Sequence, residues 1–98
     1  MPELFDAHAL TTALADLDGW KGDTDLIQRT VSAPDFPTAI RIVDAIAVVA
    51  EEMNHHPDID IRWRNLLIGL TTHDAGGVTD LDVTLARRID AIAKEHGA

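Results

Sequence analysis

Asp58-Ile59-Asp60-Ile61-Arg62-Trp63-Arg64 alternates polar and apolar residues over seven positions, and after Asn65 the chain continues Leu66-Leu67-Ile68-Gly69-Leu70-Thr71-Thr72. Alternation with period two marks a strand that buries one face, and an asparagine between two such runs marks a turn. The two runs therefore read as an antiparallel hairpin. With the turn centred on Arg64 and Asn65, the pairs Ile59/Leu70, Ile61/Ile68 and Trp63/Leu66 share one face. A slip by one residue mixes apolar with polar partners, whereas a four-residue turn keeps the faces and moves the register by two.

The hairpin decides the fold because of what flanks it. Glu51-Glu52-Met53-Asn54-His55-His56-Pro57 leads into the first strand and Thr72-His73-Asp74-Ala75-Gly76-Gly77 leaves the second, so three of the five histidines gather at its open end. Extending the register sets His56 opposite His73, with Cα atoms about 4.5 to 5.5 Å apart as in any directly paired residues.

Working outward, Ile40, Val43, Ile46, Ala47, Ala50 and Met53 keep helical spacing before the hairpin, with Ile42 and Val49 widening the stripe. Asp35 and Pro37 supply the start of this helix, and Asn54 with Pro57 its end. Beyond Gly76-Gly77, Thr79-Asp80-Leu81-Asp82 has capping-box spacing, with Asp where Glu or Gln is usual, and Leu81, Leu85, Ile89, Ile92 and Ala93 continue a helix to about Glu95. Nearer the start, Leu10, Ala13, Leu14 and Leu17 form one helical face after Asp6, while Gly19 to Ser32 reads as a weak first hairpin with Trp20 at the core or its rim.

Ninety-eight residues suit a single domain over 1–98, with one modest core. No apolar run approaches the roughly 18 residues of a membrane span, and the acidic start is unlike a signal peptide, so a cytoplasmic location is expected. The absence of cysteine excludes disulfides, thiolate nucleophiles and zinc fingers. A net charge of −9 repels phosphate backbones and disfavours nucleic-acid binding.

Three histidines with Glu51, Asp74 and Asp82 nearby permit three readings. General acid and base catalysis suits groups that titrate near neutral pH, and no serine or cysteine nucleophile stands beside them. A zinc or iron site is chemically open to such ligands, but adjacent His-His side chains diverge and helical His-x-x-x-His spacing is absent. The third reading is structural, with imidazoles satisfying a helix end; for Asp82 it is helix capping and for Glu51 a solvated helix face.

Glu51-x-x-x-His55-His56-Pro57, followed by Leu70-Thr71-Thr72-His73-x-x-Gly76-Gly77-Val78-Thr79-x-x-Asp82, resembles the signature of the pterin-4a-carbinolamine dehydratases. The resemblance implies an α+β fold, a four-stranded antiparallel sheet with three helices on one face, in the order α-β-β-α-β-β-α. It implies a lyase that dehydrates 4a-hydroxytetrahydropterin to quinonoid dihydropterin in tetrahydrobiopterin recycling, without metal or cofactor, as a homodimer or homotetramer. His55, His56 and His73 match the family's active-site histidines, Asp82 and Glu51 supporting carboxylates, and Pro57, Thr72, Asp74 and Ala75 the substrate's surroundings. The register argument makes His56 and His73 the working pair and leaves His55 to position the substrate. The alternative is a protein-binding, dimerisation-cofactor module of the same fold without pterin turnover.

Overall fold

In the computed structural model, which describes residues 2–98, the expected hairpin forms from β3 (Asp58–Arg62) and β4 (Asn65–Leu70). Its register differs from the expected one by two residues. Ile59 faces Ile68, Ile61 faces Leu66 and Arg62 faces Asn65, so the turn is Trp63-Arg64. A two-residue hairpin turn requires left-handed backbone, and Trp63 supplies it with φ 56°. The indole is thereby thrown out of the expected core and is 68% exposed, with the Arg64 guanidinium 4.7 Å from the ring centroid. Asn65, expected in the turn, enters the strand, where it pairs with Ser32 and accepts the Ser32 hydroxyl at 2.8 Å. Because side chains alternate with period two, the shift leaves every buried face as it was.

Two further strands complete the sheet. β1 (Lys21–Gly22) pairs with β2 (Ile27–Ser32), and β2 pairs with β4, giving the antiparallel order β1-β2-β4-β3. Ile27 and Val31 of β2 join Leu66, Ile68 and Leu70 of β4 on the buried side, while Gln28 and Thr30 face away. Three helices cover that buried side: α1 (Ala7–Ala15), α2 (Phe36–Met53) and α3 (Asp80–Glu95). The architecture is the expected α+β arrangement in the order α-β-β-α-β-β-α. Among the described residues, no helix is long and apolar enough to cross a membrane.

Each helix begins at a side-chain cap. Asp6 accepts from the Ala9 N–H of α1 at 2.8 Å, Asp35 accepts from the Thr38 N–H of α2 at 2.8 Å, and Thr79 caps α3. The core stripe of α2 is Ala39, Ile42, Ile46, Val49 and Ala50, which keeps Ile46 and Ala50 of the expected stripe and its widening residues Ile42 and Val49 but shifts away from Ile40, Val43 and Ala47. Both stripes have helical spacing; the first is centred on β2 and β4, and Ala47 is left exposed while Ile40 and Val43 are half-buried. Trp20 is buried, its indole N–H donating to Asp90 at 2.8 Å, and Arg29 pairs with the same carboxylate oxygen.

One glycine brings the segment after the hairpin into place. A Cβ on Gly77 would lie 2.5 Å from the Thr24 carbonyl oxygen, so only glycine allows the backbone to pass this close. The next amide, Val78 N–H, donates to that same carbonyl at 2.8 Å. Thr72 N–H donates to Gly77 O at 2.9 Å, closing a loop that contains a 3-10 turn, His73–Ala75.

Candidate active site

Asn54 ends α2 in the left-handed conformation, φ 49°, and turns the chain sharply before the two histidines. His55 N–H still donates to Ala50 O at 3.0 Å, which pins the corner to the last turn of the helix. Neighbouring side chains then diverge. The His55 ring is buried against the start of α3, with Nε2 2.6 Å from Asp82 Oδ1. The His56 ring is exposed and turns back along α2, with Nε2 2.5 Å from Glu51 Oε2.

Asp82 has no exposure at all, yet both of its carboxylate oxygens have hydrogen-bond partners. Its Oδ2 accepts the Thr72 hydroxyl at 2.8 Å and the Thr79 N–H at 2.9 Å, the latter being the capping-box bond. Thr72 and Thr79 touch through their hydroxyls at 2.7 Å, and Thr79 Oγ1 accepts from the Leu81 N–H at 3.2 Å. Four residues from three segments thus form one buried polar cluster, and such a cluster is tolerable only when every member is satisfied. The capping and the histidine-orienting readings of Asp82 turn out to be compatible, since different oxygens of one carboxylate serve them.

The remaining expected residues lie around this cluster without joining it. Asp58 pairs with Gly69, so continuing the ladder outward brings His56 level with Thr71 and not with His73; the two-residue register shift removes the expected pairing. His73 opens the 3-10 turn directly after Thr72, so its backbone lies one residue from a group bonded to Asp82, and its side chain is exposed. Asp74 is exposed and Ala75 is half-buried, whereas Thr72, expected beside the substrate, is a member of the buried cluster. Pro57 lines an apolar groove of about 380 Å³ between α2 and β3, together with Val43, Ile46, Ala47 and Ile59, bordered by Glu51 and His56. Among the described residues, no three histidine or carboxylate side chains converge as a metal-ligand set. Thr79 was read only as a helix cap; its hydroxyl contact with Thr72 carries no signal in sequence, because it depends on how two loops cross.

A family model described as pterin 4 alpha carbinolamine dehydratase matches residues 3–92. The chain belongs to this family. A relative from Nocardia farcinica, provisionally named as a pterin-4-alpha-carbinolamine dehydratase, is 51% identical over 92 residues, covering 94% of this chain and 97% of that one. A crystal structure from Brucella melitensis, described as a transcriptional coactivator/pterin dehydratase, superposes with a TM-score of 0.87 at 34% identity, covering 93% and 98% of the two chains. A third protein, a pterin dehydratase-like RuBisCO assembly factor of the alpha-carboxysome, shares the fold at 23% identity and a TM-score of 0.62 over 76% of this chain and 86% of that one. The matched residues 3–92 include His55, His56, His73 and Asp82.

Proposed function

We propose that this protein dehydrates 4a-hydroxytetrahydropterin to quinonoid dihydropterin, with histidines transferring the protons, as a step in recycling a tetrahydropterin cofactor. The reaction removes one water: the C4a–O bond breaks as a proton reaches the departing oxygen, and the N5 proton is lost as the C=N bond forms. An acid and a base are required, and imidazoles serve both roles near neutral pH. The observation that carries the reading is the 2.6 Å contact between His55 and the buried Asp82. A carboxylate on one ring nitrogen orients the imidazole and stabilises the imidazolium when the other nitrogen takes a proton.

This geometry favours His55, rather than His56, as a proton-transfer group, with the exposed His73 as its partner. His56, held by Glu51 beside the apolar groove, is assigned to the rim where the pterin ring would enter. Purified protein is expected to accelerate the dehydration, and His55→Ala and His73→Ala each to lose about 10² to 10⁴-fold in kcat/KM while remaining folded. Full activity in His55→Ala would end this assignment.

A second reading, a protein-binding module of the same fold, draws on the exposed Val48 of α2 and on Ile61 and Trp63 of the hairpin. Apolar groups of this size on the surface suit contact with another chain, including a second copy in a homodimer or homotetramer. Partner binding without any pterin turnover would favour it.

A further inference from the structure

The family resemblance implies Thr72 among the residues around the substrate, but its buried hydroxyl is engaged inside the protein by Asp82 and Thr79. The protons of the cluster can be assigned by counting. Asp82 as a carboxylate only accepts, so the 2.8 Å bond to Oδ2 takes the single hydroxyl proton of Thr72. The 2.7 Å contact between the two threonines then has Thr79 as donor and Thr72 as acceptor. Thr79 Oγ1 in turn accepts from the Leu81 N–H. The chain runs one way, from a free amide in the first turn of α3 through two hydroxyls to the carboxylate, and each bond polarises the next.

The Thr79 N–H is the second donor on Oδ2, so that oxygen is occupied and Oδ1 is left facing His55. A carboxylate oxygen 2.6 Å from Nε2 requires the proton to sit on Nε2. Nδ1 is then the bare nitrogen of the neutral ring. Among the described residues it has no hydrogen-bond partner, and no buried side-chain nitrogen or oxygen lacks one, so Nδ1 opens toward solvent.

We propose that Thr72 is a positioning residue: its hydroxyl locks the Asp82 carboxylate and thereby holds His55 in the Nε2–H tautomer, presenting Nδ1 as the atom that exchanges protons with the substrate. The kinetic consequence rests on the dehydratase reading above; the tautomer does not. In Thr72→Val, Oδ2 loses one of its two donors and the Thr79 hydroxyl loses its acceptor, so the carboxylate is held by the Thr79 N–H alone and can swing away from the ring.

The test combines ¹⁵N NMR of the His55 ring, at a pH where it is neutral, with steady-state kinetics of the wild type, Thr72→Val and Thr72→Ser. Wild type is expected to show the proton on Nε2 and an unprotonated Nδ1. Thr72→Val is expected to show a tautomer mixture and a kcat lower by roughly tenfold, the rate equivalent of one buried hydrogen bond, with KM little changed. Thr72→Ser, which restores the hydroxyl, is expected to recover both. A wild-type ring protonated on Nδ1 overturns the proposal without recourse to any variant, which covers the case that Thr72→Val does not fold. It is equally overturned by wild-type ring signals in Thr72→Val, by failure of serine to recover the tautomer, or by a rise in KM at unchanged kcat, which would mark Thr72 as a substrate contact. If wild type turns over no pterin, the proposed reaction falls while the ring signals still decide the role of Thr72.

Discussion

Replacing Asp82 in two ways separates what its carboxylate does for the fold from what it does for His55. Asp82→Ala removes acceptors at 2.6, 2.8 and 2.9 Å from a fully buried position. The His55 and Thr79 donors are stranded, each at about 1 to 3 kcal/mol, and the capping box loses its return bond. The two stranded donors together are expected to cost about 2 to 6 kcal/mol, a large share of the roughly 5 to 15 kcal/mol by which a domain is stable. At about 4 to 8 °C per kcal/mol, the midpoint of thermal unfolding should fall by at least roughly 8 °C.

Asp82→Asn has the same shape and a different outcome. Its amide oxygen still accepts from Thr72 and Thr79, while the amide nitrogen meets His55 as a donor. His55 must then move its proton to Nδ1 and accept at Nε2. A charge-assisted bond becomes a neutral one of roughly half the strength, so the expected loss is only about 1 kcal/mol. Urea unfolding followed by fluorescence of the buried Trp20 measures both values. Activity should collapse in both variants, because Asn presents the wrong ring nitrogen. Equal destabilisation by Ala and Asn, or a loss under about 1 kcal/mol for Ala, would refute the division of labour between the two oxygens.

Two further outcomes follow from the caps and the turn. Hydrogen bonds from the Thr38 side chain and backbone N–H hold the Asp35 carboxyl below its ordinary value of 3.8, so its ionised form favours the folded state. That contribution is fully present above the unfolded-state value and fades as pH falls through the lower folded value; Asp35→Asn, still a competent cap, should therefore lower the urea midpoint at pH 7 and match wild type at the acid end, and a pH-independent difference would contradict this. At the hairpin tip, Trp63→Gly relieves a left-handed residue at a strain of roughly 1 to 3 kcal/mol against about 0.5 to 1 kcal/mol of lost contact with Arg64, so a net gain near 1 kcal/mol is expected in the same unfolding assay, and a loss would show that the indole stabilises the turn.

The faces of the hairpin were legible from alternation alone, and its register was not, for one physical reason. A period of two is unchanged by a shift of two, so Ile59 and Ile61 keep the same face in either pairing, with Ile61 on the edge strand left exposed. What selects the observed register is the left-handed backbone at Trp63, a conformation that nothing in a tryptophan advertises, whereas Asn65 carries the chemistry of a turn and sits in a strand. The α2 stripe shows the same degeneracy in helical form: Ile40-Val43-Ala47 and Ala39-Ile42-Ile46 have equal spacing, and only the position of the sheet chooses between them. The histidine cluster was legible as a group because its members flank one hairpin. Its internal pairing was not, since His55 and Asp82 are 27 residues apart and meet only once α3 docks against the end of α2.

The capping box of α3 departs from the usual pattern by having Asp in place of Glu or Gln, and the shorter arm acquires a meaning once its second oxygen is followed to His55. Helix initiation and histidine orientation share one side chain, each through its own carboxylate oxygen. Fraying of the first turn of α3 also releases the imidazole, and the dyad is absent from any partly folded chain in which the C-terminal helix has not yet docked. The His55–Asp82 contact is therefore a property of the docked tertiary structure and of no single segment.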